Sequence, residues 1–99
     1  MIILAGTVRV PPENIERARP NLEAMVKATR AEPGCIAYAF SFDVLEPGLM
    51  RIFEIYENMP ALEAHWGSPH MAAWRACMPG LGIGDRNMTK YEISGSEKV

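Results

Sequence analysis

Both histidines and both tryptophans of the chain fall between Asn58 and Met78, and this is the segment whose side chains could do chemistry. His65 lies three residues after Leu62 and beside Trp66, so the three share the buried face of a short helix and the imidazole is partly desolvated. His70, Ala73, Trp74 and Cys77 share a face of a second helix, and a corner at Gly67 can turn His70 toward the same cavity. A neutral imidazole, with an ordinary pKa of about 6.5, can take a proton from a phenol or enol near neutral pH. Indole rings beside it can form the wall on which an aromatic ligand rests. Each residue also has a plainer use. A lone histidine on an apolar helix face is commonly a core residue with a satisfied hydrogen bond, and tryptophan is commonly core filling.

Other chemistries find less support. No metal is expected, because two histidines five apart across a helix break have no nearby third ligand of evident geometry. Gly80, Gly82 and Gly84 precede a strand instead of opening a helix, so they read as a flexible rim and not as a phosphate loop. Cys35 and Cys77 lack CxxC spacing and are too few for a disulfide scaffold, which points to free thiols in a reducing cytoplasm. The formal charge of -2 and pI near 5.6 leave no cationic field for nucleic acid or an anionic membrane surface. Met1 to Val10 is apolar but lacks the basic leader and cleavage site of a signal peptide, and no segment is long enough to span a bilayer.

The elements that must position these residues follow from periodicity. With 99 residues, 48% of them apolar and 22% charged, the chain is expected to fold as one domain over residues 1–99. Ile2 to Val10 reads as a strand covered on both faces. From Glu13, the residues Ile15, Ala18, Leu22, Met25, Val26 and Thr29 recur at helical spacing, with a bend expected at Pro20. Glu32, Pro33 and Gly34 stop that helix. Ile36 to Val44 then alternates as a strand, Glu46 to Gly48 make a turn, and Met50 to Tyr56 completes a hairpin. Asn58 caps one short helix and Ser68 a second, Pro79 and Gly80 end the pair, and Asn87 to Ile93 forms a last strand. The tail from Ser94 reads as frayed.

Right-handed connections then give an α+β fold of the ferredoxin-like type, βαββαβ. Its antiparallel sheet has strand order 4-1-3-2, with the helices on one face. Small and apolar residues such as Ala37 and Ala39 would be left wet on the other face, so a second copy of the sheet is the natural cover.

Glu32, Pro33, Gly34 and Cys35 stand before an alternating strand, and Glu54 and Tyr56 lie on the next. Ala61, Leu62, Ala64 and His65 follow, then the helix start Ser68, Pro69, His70 and Met71. In this order and spacing the sequence resembles the antibiotic biosynthesis monooxygenase domain and is similar to quinol monooxygenases. The resemblance covers nearly the whole chain. It implies a homodimer whose two sheets pack into an α+β barrel, with a pocket in each subunit between helices and sheet. It also implies oxidation of a quinol or an aromatic, polyketide-type phenol by dioxygen, with no flavin, haem or metal as cofactor. The physical logic is that a deprotonated polycyclic phenol can itself give an electron to oxygen, while the protein supplies a shaped cavity, a proton acceptor and donors for the oxyanion.

By residue type, the resemblance points to His65 and His70 as catalytic candidates and to Trp66, Trp74, Tyr38 and Tyr56 as substrate-binding ones. Haem-degrading relatives use an asparagine on the first strand and an axial histidine about ten residues after a helix tryptophan. Aligned on Trp66, those positions hold Thr7, which joins the substrate-binding candidates, and Ala76, which cannot ligate iron. Two other functions compete. One is an isomerase or degrader of a small signalling carbonyl compound, phosphorylated or hydroxylated, which needs cationic residues such as Arg51, Arg75 or Arg86 in the pocket. The other is a ligand-binding dimer without catalysis.

Overall fold

The computed structural model describes every residue from Met1 to Val99. Strand β1 (Ile2–Arg9) turns its even-numbered residues Ile2, Leu4 and Val8 into the core. A single turn of 3-10 helix at Pro12–Asn14 leads into α1 (Ile15–Arg30), which buries Ala18, Leu22, Met25 and Thr29 at spacings of three and four. Pro20 points outward, and α1 runs across it without a break. β2 (Cys35–Phe42) and β3 (Leu49–Tyr56) form the hairpin. α2 (Met59–Trp66) starts where the Asn58 side chain accepts the Ala61 N–H, and α3 (Pro69–Cys77) where the Ser68 hydroxyl accepts that of Met71. β4 (Gly84–Glu92) closes the fold.

All strand pairs are antiparallel and the order is β2-β3-β1-β4, which is 4-1-3-2 counted from the other edge. This is the expected ferredoxin-like α+β fold, with a helix pair in place of the second helix. The larger core cluster joins Val8, Met50, Ile52 and Tyr38 of the sheet to Leu22 and Met25 of α1 and Trp74 of α3. A smaller one joins Ile2, Leu4 and Tyr56 to Leu62 of α2. No helix is long and apolar enough to cross a membrane.

Three local expectations are corrected. β2 stops at Phe42, because the Asp43 carboxylate accepts the N–H groups of Leu45 and Glu46 and holds Arg51, which starts the turn early. β4 begins three residues sooner than alternation alone indicated. The glycine-rich segment is no flexible rim: a 3-10 turn at Pro79–Leu81 delivers Leu81 and Ile83 into the core. The glycines hid two anchoring residues.

The face away from the helices carries ordered rows. Ala37, Ile55, Ile3 and Tyr91 lie side by side, then Ala39, Phe53, Ala5 and Thr89, then the polar row Ser41, Arg51, Thr7 and Asn87. Phe53 is 44% exposed on this face, next to two alanines that leave it uncovered.

Gly6 is needed where β1 and β4 meet. A Cβ at that position would lie 2.0 Å from the Asn87 carbonyl oxygen and 2.7 Å from Met88 Cα, both backbone atoms that cannot rotate away. Gly6→Ala is therefore expected to cost about 2 kcal/mol by forcing the strands apart. The check is a urea midpoint that falls at unchanged slope. An unchanged midpoint would show that the edge strand yields freely.

Candidate active site

A cavity of about 470 Å³ lies between the sheet and the α2–α3 corner. Val8 and Ile52 form its floor, and Met71, Trp74 and Met78 of α3 and its C-terminal turn form one wall. Trp66, the last residue of α2, flanks the opening, and Arg75 and Arg86 supply two guanidinium groups. Trp74 is buried and tilts against Phe40 with ring centroids 5.3 Å apart. Arg75 Nη2 donates to the Trp66 carbonyl at 3.2 Å, which ties the end of α2 to α3. Arg86 reaches the wall from β4 beside a bulge, where the β1–β4 register shifts between Thr7 and Arg9 and Asp85 takes a positive φ of 55°. The cavity thus offers flat aromatic surface and positive charge together. That combination suits an aromatic anion.

Beside the cavity lies a polar cluster, buried at His65 and Glu54 and partly exposed at Glu32 and His70. His65 is 1% exposed, with Nδ1 2.9 Å from Glu32 Oε2 and Nε2 3.8 Å from Glu54 Oε1. His70 Nε2 contacts the same Glu32 oxygen at 2.5 Å. The Tyr56 hydroxyl donates to Glu54 Oε1 at 2.7 Å, and the rings of Tyr38 and Tyr56 pack on His65 at 5.6 and 5.3 Å. Burial pushes the Glu54 carboxyl up to about 7, against the opposing effects of the Tyr56 donor and the Arg86 charge. Burial also holds the His65 pKa below its ordinary value, although Glu32 opposes this. Both tyrosine hydroxyls are pushed well above their ordinary pKa, first by burial and then by the Glu54 charge, so they remain donors. Glu54 can therefore gain or lose a proton near neutral pH while the two tyrosine hydroxyls keep theirs.

The sequence candidates divide between these two places. Trp66 and Trp74 line the cavity together. His65 does not, and it does not share a face with Trp66, which is 38% exposed: adjacent helix residues point about 100° apart, and at the end of α2 that step carries the indole out of the core. His70 borders a separate gap of about 80 Å³ between α1 and α3. Tyr38 and Tyr56 lie under His65 in the core. Thr7 sits in the polar row on the opposite face of the sheet, away from all of them. Arg75 and Arg86 reach the cavity, whereas Arg51 pairs with Asp43 on that opposite face.

Sequence reasoning missed two carboxylates. Glu32 stands where the sequence marks a helix stop, yet it is the partner of both histidines and a nearby third ligand-type group that spacing along the chain does not reveal. Glu54 did carry a signal. Met50, Ile52, Glu54 and Tyr56 occupy one face of β3, so a carboxylate at that register has to point into the core.

The pattern of known proteins agrees with this architecture. Residues 1–76 match the family model described as antibiotic biosynthesis monooxygenase. An uncharacterised Synechocystis protein is 28% identical over 98 residues, which is 99% of this chain and 67% of that protein. A Mycobacterium tuberculosis protein named "Putative monooxygenase" is 38% identical over 65 residues, 66% of this chain and 63% of its own length. A Deinococcus radiodurans crystal structure, described as that of a putative antibiotic biosynthesis monooxygenase, superposes with a TM-score of 0.91 at 29% identity, over 100% of this chain and 98% of its own. With its sheet, its helix pair and the matched stretch that holds Glu32, Glu54, His65 and His70, the chain belongs to the antibiotic biosynthesis monooxygenase family.

Proposed function

We propose that the protein oxidises an electron-rich quinol or polyketide-type phenol with dioxygen, binding it as its anion in the cavity between α3 and the sheet. The observation that carries this reading is the meeting of Trp66, Trp74, Arg75 and Arg86 on one cavity of about 470 Å³. The guanidinium groups favour the phenolate over the phenol, so the ring gives up its proton and becomes able to pass an electron to oxygen. The indole faces orient the ring, and the methionines and floor keep water away from the reacting carbon. In the overall reaction one ring C–H carbon of the phenol, the CH2 of its keto tautomer, becomes C=O; its hydrogen and the phenolic proton leave with the second oxygen atom as water. The substrate supplies all the electrons, and no flavin, haem or metal is needed.

His65 and His70 serve this site as positioning residues. Through Glu32 they lock the α2–α3 corner that sets the angle between Trp66 and Trp74. Tyr38 and Tyr56 support His65 from the sheet, and Thr7 has no part in the cavity. The working form is a cytoplasmic homodimer built on the rows around Phe53 and Ile55, whose apolar surface a second sheet would cover. Phe53→Arg is expected to leave monomers at micromolar concentration by light scattering. A variant of unchanged mass would mean that the subunits meet elsewhere.

The test of the reaction is oxygen uptake with a panel of quinols and polycyclic phenols and no added cofactor. Uptake with formation of the ring carbonyl supports the proposal. The two cavity arginines also favour a second reading, an isomerase or degrader acting on a phosphorylated carbonyl compound. Conversion of such a compound without oxygen uptake would replace the first reading. Quenching of Trp66 and Trp74 by ligands that are never converted would leave a binding dimer.

A further inference from the structure

We propose that Glu32, His65 and His70 form a zinc-type divalent cation site, separate from the cavity and placed at the corner that sets its two tryptophans. Glu32 Oε2 lies 2.9 Å from His65 Nδ1 and 2.5 Å from His70 Nε2, and the three atoms all fall within 4.8 Å of one another. Two histidines and one carboxylate, with a fourth position left to solvent, are a well-established zinc ligand set. An ion bound at about 2.0–2.1 Å needs donors roughly 3.3 Å apart, so the two edges at Glu32 have to open by less than about 1 Å, while the edge between the two imidazole nitrogens, which lies within 4.8 Å, adjusts to the same length. Glu32 can open it, because it stands in the turn between α1 and β2 with its side chain partly exposed.

The chain geometry supports convergence on one point. On a continuous helix, residues five apart would point about 140° away from each other and could not share an ion. The break at Gly67 and the new cap at Ser68 remove that obstacle and bring both imidazoles to a single oxygen. The other ring nitrogen of His65 faces Glu54 Oε1 at 3.8 Å, a carboxylate held in turn by the Tyr56 hydroxyl; a shift of roughly 1 Å on metal binding would bring the pair into the carboxylate–histidine arrangement that orients metal-ligating imidazoles. On the solvent side, Glu32 borders a cleft of about 340 Å³ whose other walls include Gly34, Ala61, Ala64 and Ser68. These small side chains leave room for a water or a small carboxylate at the fourth position. A bound ion would pin the α1–β2 turn to the α2–α3 corner.

The test uses the full chain without a histidine tag, stripped with EDTA and titrated with zinc chloride by calorimetry, with cobalt absorption as the report of tetrahedral geometry. Binding of one equivalent is expected. His70→Ala and Glu32→Gln should each weaken it by about 100-fold or more, and Glu54→Gln, which removes only the backing carboxylate, by about 10-fold. His70 is partly exposed on the first turn of α3, so its variant should keep the circular dichroism of the folded protein. Absence of saturable binding at micromolar zinc would overturn the site. So would zinc binding that both variants retain, or binding lost in Cys35→Ala but unchanged in His70→Ala. No substrate enters this experiment, so its failure leaves the oxygen-uptake result untouched.

Discussion

Replacing Arg86 by glutamine is expected to lower oxygen consumption by about 10²-fold, the scale on which loss of one preorganised oxyanion partner acts. The reaction needs the phenolate, and positive charge held where that oxygen lies is what favours the anion over the neutral phenol. Arg75 and Arg86 both line the cavity, but Arg75 is engaged with the Trp66 carbonyl. Arg86 makes no hydrogen bond or ion pair within the chain, so its guanidinium donors are free for a ligand, while its charge also acts on the buried Glu54 carboxyl. Arg75→Gln should therefore have the smaller direct effect on turnover and act partly by loosening Trp66. Lys27→Gln on α1 removes the same charge away from the cavity and should leave the rate unaltered. Measured at saturating substrate, a fall in kcat for Arg86→Gln marks an interaction that strengthens toward the transition state. A fall in affinity alone would mean that Arg86 only gathers the substrate, and equal rates would remove it from the site.

The fold was legible because its signals are local. Strict alternation in Cys35–Phe42 and in Leu49–Tyr56 gives two strands, and the capping side chains of Asn58 and Ser68 mark two helix starts that the structure keeps. Strand order follows once crossovers are right-handed and hairpins short. What stayed hidden depends on contacts distant in sequence. Leu81 and Ile83 sit among glycines that suggest mobility, and only the packing of their turn against the core shows otherwise. The early end of β2 has a local cause instead, the Asp43 carboxylate accepting the N–H groups two and three residues on, which no hydrophobic period records.

The site was legible by residue type and illegible by position. Trp66 and Trp74 line one cavity. The histidines beside them turn the other way, toward a glutamate 33 residues before His65 and 38 before His70. Helical spacing states which residues share a face. It does not state which cavity that face borders, because the corner at Gly67 sets the relative rotation of α2 and α3. Thr7 shows the same limit in a strand. Alignment on a family position selects it, while its odd register on β1 turns it to the face opposite the cavity.

Glu54→Gln is expected to stabilise the protein at pH 8 by roughly 3 kcal/mol and to change it little near pH 5. The ordinary pKa of this carboxyl is 4.5, and in the folded protein, at 5% exposure, it is raised to about 7. Between those values the folded state holds a proton that the unfolded chain has already released. The associated stability is present in full below about 4.5 and is lost as pH rises through about 7. His65 acts in the opposite sense: its folded pKa is lowered from 6.5, so its contribution is present above that value and is lost as pH falls. Glutamine keeps a carbonyl to accept the Tyr56 hydroxyl and removes the charge, so it abolishes the penalty at high pH without opening a cavity. Urea denaturation of both proteins at pH 5 and pH 8, with EDTA present so that no ion at His65 pulls the carboxyl down, separates the cases. A gain equal at both pH values would be a packing effect, and a loss at pH 8 would mean that Glu54 is ionised and well compensated in the fold. If the gain appears only at pH 8, the native chain carries a buried ionisable group at a net cost to its own stability, beside the residues that close the cavity. A position that could be made more stable by one atom's exchange and yet holds a carboxyl is better explained by its part in proton or ion binding than by packing.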